Sequence, residues 1–525
     1  NMNILGIGGL LNDAACAILK DGELAAAVEQ KKIARYHRSG ELPEESIEAC
    51  LELAGVGAEQ VDGVAVVRPF AAGPEAPLHL QLRERFPNAR IMLVEHHMAH
   101  AASAYYASPF SEATVLTLDR QGDFRCGARW RACGTQLELE QEVYYPDSLG
   151  DLYGRVTKLL GFEPNAEEHK VQWLSTMGGS EHEALFDEML VWSGGWPRLD
   201  RSFLDADRMS RGGFGPKFYE RLGLPDGAPI PARMQASIAA GLQRTVEKAV
   251  LGIAGSGENL CVAGGLHFNA LLIAALERSN QWKNVFVQPA AGNAGTAIGA
   301  VLYGWHIGYR QTARVPFNSL FLGPSYTLEE TKRVLENCKL RFRLLLTTDE
   351  LIETAVRQIN EHKIIAWMHG RMEFGPRALG NRSILASPQD PYSTENLNTF
   401  IKHREQFRKF AASVPAELAG EYFEVGANAR FLATVGRVRP EHRKTFESAI
   451  LGDDLVRVQT VAESDNPLYH RLLHAAGKAT GLPVLYNTSF NLFGDPLVCT
   501  PRDAVRSFYS SGIDAMFVGN FLLEK

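Results

Sequence analysis

Alternating apolar and polar stretches at the start of the chain predict three strands. One apolar run leads into a Gly-rich turn that carries Asp13, and Asp21-Gly22 separates the second apolar run from the third. An Asp-Gly pair between two apolar runs is a strong sequence signal for a β-hairpin. We therefore predict a strand, a loop with an acidic residue, and then a hairpin.

A similar order recurs at residues 113–141. An apolar run leads into a loop with Asp119, Gly122 and Asp123, and a turn at Cys133-Gly134 separates the next two runs. The pattern has two interpretations, a duplicated structural unit or two unrelated hairpins, and both stay open at this level.

Two later segments each predict a strand, a glycine turn and a helix. The turn residues are Gly264, Gly265 and Asn269 in "LCVAGGLHFNALLIAALE", and Gly292, Asn293 and Gly295 in "VFVQPAAGNAGTAIGAVLYGW". Glycines at such a turn let backbone N–H groups approach a phosphate, and the N-terminus of the following helix favours an anion. Together with the two acidic loops, these turns predict a two-lobed α/β domain with nucleotide loops facing one cleft.

A chain of 525 residues is too long for a single core, so two domains are expected. Pro and Gly become frequent at residues 314–326, and a new amphipathic helix pattern follows at "TLEETKRVLENCKL". This change predicts a linker. We place one domain at residues 1–325 and a second at residues 326–525, both of α/β class.

The net charge and the spacing of the cysteines indicate which binding partners and which cellular compartment to expect. A net charge of −7 gives no electrostatic reason to expect nucleic-acid binding. The seven cysteines are scattered and form no C-x-x-C pair, which indicates free thiols in a reducing compartment. Without a signal peptide or a long apolar run, we expect a cytoplasmic protein with small-molecule substrates and no membrane partner. A homodimer stays open.

The stretch "VEHHMAH" is a candidate metal site. His96 and His100 are four residues apart, so a helix would place both imidazoles on one face, where they could chelate one divalent ion. Two ligands are seldom sufficient, so a third has to come from elsewhere in the chain. His97 falls on another face of the helix and is expected to be structural.

Basic residues concentrate in the C-terminal part. Arg371, Arg377 and Arg382 lie between glycines and prolines, and the guanidinium group matches phosphate oxygens well. "IKHREQFRKF" adds Lys402 and Arg404, for which anion binding is favoured over a solvated basic face. Arg408, in the same stretch, is expected to be solvated.

Polar residues end a predicted strand at "VLYNTSFN". Ser489 and Asn491 alternate there, so both side chains are expected to point the same way. They could hold a small amide-like group or a ribose, and strand-end capping is the alternative.

These residues carry a family resemblance. Lys402-x-Arg404 followed by Ser489-x-Asn491 resembles the KxR…SxN signature of YrdC-like domains. The surrounding segments are similar to the C-terminal half of the O-carbamoyltransferases of the nodulation and antibiotic-tailoring family. "EHHMAHAASAYYASPF", "DSLGDLYGRVTKLLGF", "AGGLHFN" and "PAAGNAGTAIGA" have counterparts in the N-terminal half. The resemblance covers almost the whole chain in order.

The resemblance implies an actin/sugar-kinase-like (ASKHA) domain followed by a YrdC-like domain. It also implies a two-step reaction, typical of secondary metabolism. ATP and carbamoyl phosphate, with Mg²⁺, give carbamoyl adenylate, and the carbamoyl group then passes to a hydroxyl of a small metabolite or sugar.

The site residues implied by the resemblance fall into four groups. The catalytic residues would be Asp13, Lys170 and Arg404. Carbamoyl phosphate and ATP would be bound by Arg371, Arg377, Arg382, Lys402, Arg404, Ser489 and Asn491. The nucleotide loops of the N-terminal domain would be the two glycine turns described above. A metal ion (Fe²⁺, Mn²⁺ or Zn²⁺) would be held by His96, His100 and Asp119.

The chain departs from the family pattern in the N-terminal half. Asn12 replaces a histidine, "EQKK" replaces Gln-Glu-Glu-Arg, Arg120 replaces a glycine, and Asn293 stands where the family has an aspartate ligand. A neutral amide is a poorer metal ligand than a carboxylate. The alternative function is therefore a divergent member with a nucleotide-binding or scaffold role and impaired transfer. A kinase or ATPase is disfavoured by the intact C-terminal signature, and the acceptor is not indicated.

Overall fold

A computed structural model describes residues 2–67, 75–120, 124–390, 395–402, 409–492 and 494–525. The protein is mixed α/β. Its described strands form two five-stranded sheets, one ten-stranded sheet and a two-stranded hairpin. None of the helices in these ranges is both long and apolar enough to cross a membrane.

The first sheet contains the predicted hairpin. Its strands are β1 Asn3–Gly8, β2 Ala15–Lys20, β3 Glu23–Glu29, β4 Gly63–Val67 and β5 Arg90–Val94. The order is β3-β2-β1-β4-β5, in which β1, β2 and β3 pair antiparallel and β4 and β5 continue parallel to β1. Asp21 and Gly22 form the turn with φ of 53° and 80°, a conformation that Asp-Gly pairs favour in hairpins.

The second sheet has the same topology. The remaining strands of this half are β6 Glu112–Leu118, β7 Arg125–Cys133, β8 Gln136–Tyr144, β9 Leu190–Ser193, β10 Trp196–Leu199, β11 Gly257–Ala263 and β12 Trp282–Val287. The sheet order is β12-β11-β6-β7-β8, with an antiparallel hairpin on one side of β6 and parallel strands on the other. Of the two interpretations of the sequence repeat, the duplicated unit is the one that the strand order supports.

Two helices pack between these sheets. The helices of this half are α1 Gln30–Ala34, α2 Glu44–Ala54, α3 Glu75–Arg85, α4 His96–Tyr105, α5 Leu149–Leu159, α6 Glu168–Ser175, α7 Glu183–Met189, α8 Pro216–Leu222, α9 Ala232–Ala254, α10 Ala270–Arg278 and α11 Thr296–Tyr303. Helix α4 packs on the second sheet and α11 on the first, and the two helices contact each other. A Cβ at Gly299 would lie 1.8 Å from the Ala99 carbonyl oxygen, so glycine is required for this approach. The start of α4 therefore lies where the two lobes meet.

Glu247, on α9, is a half-buried acid. Burial raises the pKa of its carboxyl to about 7, from an ordinary value of 4.5. A hydrogen bond from Gln243 and the charges of Arg244 and Arg278 offset this only in part. The folded protein therefore binds a proton here between about pH 4.5 and 7 that the unfolded chain releases, and stability falls as the pH rises through this window.

Replacing Glu247 with glutamine is expected to raise the free energy of unfolding at pH 8.5 by about 2–3 kcal/mol, because the amide is never charged. At pH 5 the gain should be much smaller. Urea unfolding at both pH values measures this, with Glu258→Gln, an exposed glutamate, as the control. An equal gain at both pH values would contradict the assignment.

The C-terminal half is built on the ten-stranded sheet. Its strands are β13 Arg343–Leu344, β14 Ile365–Met368, β15 Arg382–Ala386, β16 Ala411–Pro415, β17 Phe423–Glu424, β18 Val435–Val438, β19 Leu455–Val461, β20 Leu485–Ser489, β21 Ala515–Val518 and β22 Phe521–Glu524. Their order is β13-β22-β21-β14-β15-β20-β16-β19-β18-β17. The helices are α12 Leu328–Asn337, α13 Thr348–Asn360, α14 Ala419–Tyr422, α15 Pro467–Thr480 and α16 Pro501–Tyr509. Helix α12 confirms the amphipathic helix expected after residue 326, and the Thr327 side chain caps it.

The segment predicted as a linker is packed rather than solvated. Val315, Leu320 and Leu322 are buried in a core that also contains Ile298 from the first half and Phe374 from the second. Each described sheet takes all its strands from one side of residues 314–326. The hydrophobic core, in contrast, contains residues from both sides of this segment. Pro and Gly content indicated a break in secondary structure correctly and gave no information about burial.

Candidate functional site

The residues predicted as metal ligands lie at the start of α4. The Glu95 carboxylate caps this helix by accepting hydrogen bonds from the backbone N–H groups of His97 (3.0 Å) and Met98 (2.8 Å). The cap fixes where the first helical turn begins. His96 and His100 consequently fall on one face of α4, as their spacing predicted.

His96, His100 and Asp119 are brought together. The His96 Nε2 atom lies 2.6 Å from Asp119 Oδ2, and His100 Nε2 lies 3.6 Å from the same oxygen. Asp119 directly follows strand β6, which runs beside α4. His100 is fully buried, and neither of its ring nitrogens has a hydrogen-bond partner among the described residues. Buried polar atoms are rarely left unpaired, so a further group such as a metal ion fits here.

The charge states of these groups suit a cation. Burial lowers the pKa of His100 to about 4, so this imidazole is neutral at pH 7. Burial alone would raise the pKa of Asp119, but the nearby imidazoles of His97, His96 and His100 outweigh it and hold that pKa well below the ordinary value. A neutral imidazole and an ionised carboxylate are the forms that bind divalent metals.

His97 has a structural role, as expected. Its Nδ1 lies 2.8 Å from Thr117 Oγ1, and its Nε2 lies 2.8 Å from the Arg125 carbonyl oxygen. Both ring nitrogens are therefore used within the protein, and His97 fixes α4 against strands β6 and β7.

Arg120 turns away from the cluster. Its Nε donates to Asp151 Oδ1 (3.0 Å) and its Nη1 to Asn165 Oδ1 (3.2 Å), while Arg155 donates to the second Asp151 oxygen. The sequence suggested that Arg120 adds a positive charge next to Asp119. Instead, Asp151 pairs that charge, and the cluster keeps its acidic ligand.

The glycine turns of the N-terminal half are explained mainly by packing. A Cβ would lie 2.1 Å from the Leu118 carbonyl oxygen at Gly264, 2.5 Å from the Phe268 ring at Gly292, and 1.8 Å from the Ala290 carbonyl oxygen at Gly295. At these three positions the protein's own atoms require glycine. Gly265 differs, because it is exposed and a Cβ there would meet open space, as a loop that a ligand approaches would allow.

The two asparagines of these loops also have observed partners. Asn269 was predicted as a nucleotide ligand, but its amide is consumed internally: Oδ1 accepts from Leu272 N and Gln243 Nε2, while Nδ2 donates to Gln243 Oε1 (2.8 Å). The correction follows from its position as the N-cap of the buried helix α10. Asn293 is half-buried, and it is its backbone carbonyl oxygen that accepts a hydrogen bond from Thr296 Oγ1.

Asp13 lies in a cleft between the two halves. It is half-exposed with a φ of 64°, and its carboxylate pairs with Lys31 (3.4 Å). The cleft has a volume of about 290 Å³ and is lined by the first hairpin, by Lys31 and Lys32, and by residues 494–497. Sequence reasoning missed this cleft: "EQKK" was noted as a departure from the family, but no local signal joins it to a loop more than 450 residues later.

Lys170, predicted as catalytic, is buried on α6. Its Nζ forms an ion pair with Glu167 (2.9 Å) and lies 5.4 Å from the centroid of the Phe162 ring. Its catalytic role stays a prediction.

Three residues of the C-terminal signature, Lys402, Ser489 and Asn491, contact one another at the end of β20. Lys402 is buried, and its Nζ donates to Ser489 O (2.6 Å), Ser489 Oγ (3.3 Å) and Asn491 Oδ1 (2.5 Å). Ser489 Oγ also donates to Asn491 Oδ1 (2.9 Å). Three residues from segments almost 90 positions apart thus form one polar cluster, hereafter the lysine–serine–asparagine cluster. Arg404, Arg408, Gly122 and Asp123 lie outside the described residues.

Two of the predicted phosphate-binding arginines are structural. Arg382 is fully buried, and its guanidinium donates to five carbonyl oxygens, those of His369, Gly370, Asn381, Pro324 and Cys499. Arg371 donates to the carbonyl oxygens of Ala25, Leu322 and Gly323. Backbone oxygens thus accept from both Nη atoms of Arg382 and from Nε and Nη2 of Arg371, which gives both arginines a structural role; their anion-binding role stays a prediction.

Arg377 is the one of these three arginines that keeps an anion-binding geometry. Its guanidinium donates to the Phe268 carbonyl oxygen (2.9 Å), and no described carboxylate lies within ion-pair distance. Burial lowers its pKa to about 10, which still leaves it charged at pH 7. A half-buried guanidinium without a paired carboxylate among the described residues, next to Phe268 at the end of the glycine turn, is suited to a phosphate.

Two family models match this chain. The family model "Carbamoyltransferase N-terminus" matches residues 76–302, and "Carbamoyltransferase C-terminus" matches residues 356–525. Among solved structures, a ROK hexokinase from Thermus thermophilus covers 57% of this chain and 98% of its own at 15% identity. Its TM-score of 0.29 is too low to support a fold assignment.

Known proteins are similar in sequence to half or more of this chain. An uncharacterized protein of Synechocystis sp. is 33% identical, covering 100% of this chain and 97% of its own length. The nodulation protein NolNO of Sinorhizobium fredii is 32% identical over 98% of this chain and 79% of its own. The 3'-hydroxymethylcephem-O-carbamoyltransferase of Amycolatopsis lactamdurans is 30% identical over 50% of this chain and 48% of its own. With two matching family models and these relatives, the chain belongs to the carbamoyltransferase family and is an enzyme of that family.

Proposed function

We propose that this carbamoyltransferase forms carbamoyl adenylate in its C-terminal half and transfers the carbamoyl group to a hydroxyl of a small metabolite or sugar in its N-terminal half. The main support for the proposal is the set of hydrogen bonds that joins Lys402, Ser489 and Asn491. These residues form the KxR…SxN signature that the sequence shares with YrdC-like domains. We assign residues 326–525 to that fold, and residues 1–325 to the ASKHA fold, which the duplicated five-stranded topology supports.

The C-terminal half would perform the activation. Atom balance requires that carbamoyl phosphate first loses inorganic phosphate to water, leaving carbamate. A carbamate oxygen then attacks the α-phosphorus of ATP, and pyrophosphate leaves. Both substrates are anionic, so the reaction needs buried cations, and Lys402 supplies one. Ser489 and Asn491 have the donors and acceptors to position a carbamoyl amide.

The N-terminal half would perform the transfer. His96, His100 and Asp119 would hold one divalent ion (Fe²⁺, Mn²⁺ or Zn²⁺), which when bound would act as a Lewis acid on the adenylate. The residues of the chain fix this arrangement: Glu95 sets the helix start, and His97 anchors α4 to strand β6. Arg377 would bind the phosphate of the adenylate, because it projects from the C-terminal half onto the Gly264-Gly265 loop.

A route between the halves is needed, because an acyl adenylate is hydrolysed by bulk water. The cleft at Asp13 is lined on its far side by residues 494–497. Asn491 of the lysine–serine–asparagine cluster donates to the Asp495 carbonyl oxygen (2.8 Å) at the start of that lining. This connection supports passage of the intermediate past residues 494–497.

A hydroxyl acceptor is supported by the Amycolatopsis relative, whose name specifies carbamoylation at an oxygen. In this chain, Lys31 places an ammonium group in the cleft beside Asp13. Three carboxylates line this cleft, those of Asp13, Glu29 and Asp495, and we assign the role of accepting the proton of an attacking hydroxyl to Asp13.

The test is product analysis with ATP, Mg²⁺ and carbamoyl phosphate. We expect pyrophosphate and AMP-containing products only when carbamoyl phosphate is present. Formation of ADP and inorganic phosphate from ATP would instead indicate a kinase or ATPase. No consumption of ATP at all would favour the nucleotide-binding or scaffold role of a divergent family member.

A further inference from the structure

A second cluster of metal-ligating side chains lies on the surface of the C-terminal half. His470 and His474 are four residues apart on α15, so they share one face of that helix. Glu417, in the short 3₁₀ segment Ala416–Leu418, approaches them from the end of β16. None of the residues assigned to activation or transfer takes part in this cluster.

The three side chains converge on one point. Nε2 of His470 lies 2.7 Å from Glu417 Oε1, and Nε2 of His474 lies 2.6 Å from the same oxygen. The two imidazole rings are 4.6 Å apart at their centroids and cross at 62°. Ligand atoms from all three residues lie within 4.8 Å of one another. Both histidines thus present the same ring nitrogen, which is the arrangement of a helical pair chelating one ion.

We propose that Glu417, His470 and His474 form a transition-metal site of the zinc class. Tetrahedral zinc with bonds of about 2.0–2.2 Å places its ligand atoms about 3.3 Å apart. The observed separations of 2.6 and 2.7 Å would therefore widen by about 0.6 Å. The Glu417 side chain is half-exposed and can move by that amount. A ligand set of two imidazoles and one carboxylate is typical of zinc with an open fourth position.

The Glu417–His470–His474 cluster lies next to β16, a strand of the ten-stranded sheet that pairs with the strand of the proposed activation site. Helix α15 packs on β16, and Asn466, which caps this helix, also donates to Asn381 Oδ1 (2.9 Å). Glu417 follows directly after β16, and β16 pairs with β20, the strand that ends at Ser489. A bound ion would fasten α15 to the end of β16. Its expected effect is therefore on the stability of this half rather than on chemistry.

The experiment is a titration of the full-length, metal-free protein with Zn²⁺, by calorimetry and by thermal unfolding. His474→Ala should bind one fewer zinc ion per chain than the parent. Glu417→Gln should weaken that same equivalent at least tenfold, because an amide replaces the carboxylate. In both variants, the zinc-dependent rise in melting temperature should be smaller than in the parent. His362→Ala and Glu421→Gln, which change an exposed histidine and an exposed glutamate of the same half, should behave like the parent.

Three results would overturn the proposal. His474→Ala could retain the stoichiometry and affinity of the parent. Glu417→Gln could bind zinc as tightly as the parent while His474→Ala does not, which would reduce the feature to a histidine pair without a carboxylate ligand. The parent could also bind no more zinc than a His470→Ala/His474→Ala double variant. Equal melting temperatures of all proteins in EDTA would show that each variant is folded.

Discussion

Replacing Lys402 with methionine is expected to lower carbamoyl-phosphate-dependent pyrophosphate release by about 10²–10³-fold, the usual effect of removing a group that stabilises transition-state charge. Methionine keeps the length of the side chain and removes its charge. The reason for a large effect is burial: Lys402 is buried, so water would screen little of its attraction for a phosphate bound beside it. A pyrophosphate assay with saturating ATP measures the change.

Lys402 also donates to Ser489 and Asn491, so its loss could disturb the local structure. Lys478→Met, which changes an exposed lysine on α15, is the matched control and should keep the parent rate. If Lys402→Met keeps its melting temperature and releases pyrophosphate at the parent rate, the lysine–serine–asparagine cluster is not the activation site.

Replacing Asp119 with asparagine is expected to weaken divalent-metal binding in the N-terminal half by at least 100-fold and to abolish carbamoyl transfer. The amide has the same shape but lacks the charge that His96 and His100 share. Pyrophosphate release should persist, because Asp119 lies in the other half of the chain. Titration with Mn²⁺, together with separate assays of the two reaction steps, measures this.

The two variants serve as controls for each other. Lys402→Met should bind Mn²⁺ like the parent, and Asp119→Asn should release pyrophosphate like the parent. Loss of both properties in either variant would mean that the substitution damages the whole fold. Unchanged Mn²⁺ affinity in Asp119→Asn would remove the histidine cluster of α4 from consideration as a metal site.

The features predicted correctly from the sequence are those with local causes. Asp21-Gly22 specifies its own hairpin, and the four-residue spacing of His96 and His100 specifies a shared helix face. Asp119 was placed beside them by the family resemblance, and the structure brings it to 2.6 Å from His96.

The contacts that the sequence did not predict come from distant parts of the chain. Arg371 and Arg382 have the charge and the glycine-rich surroundings of phosphate ligands, but carbonyl oxygens as remote as those of Ala25 and Cys499 occupy their donors. No pattern within the loop shows that these oxygens are near. The same limit explains Asn269, whose amide is taken by Gln243 from another helix.

The cluster on α15 was missed for a related reason. His470 and His474 have the same spacing as His96 and His100, so the helical rule could have identified the pair. Their carboxylate partner is 53 residues away in the chain. A histidine pair without its third ligand is common on protein surfaces, and the fold alone supplies Glu417.

The buried segment at residues 314–326 has a consequence for the distance between the two proposed reaction centres. A flexible tether would let the halves sample many separations, and its effect would depend on its length. Here Leu320 and Leu322 are core residues, and Arg371 holds the Leu322 and Gly323 carbonyl oxygens. The packing of this segment therefore fixes the distance between the two proposed centres. If the enzyme makes a labile intermediate at one centre and uses it at the other, the fraction of intermediate that reaches the acceptor then depends on how well the residues along the route exclude water. It does not depend on the rate at which two mobile domains come into contact.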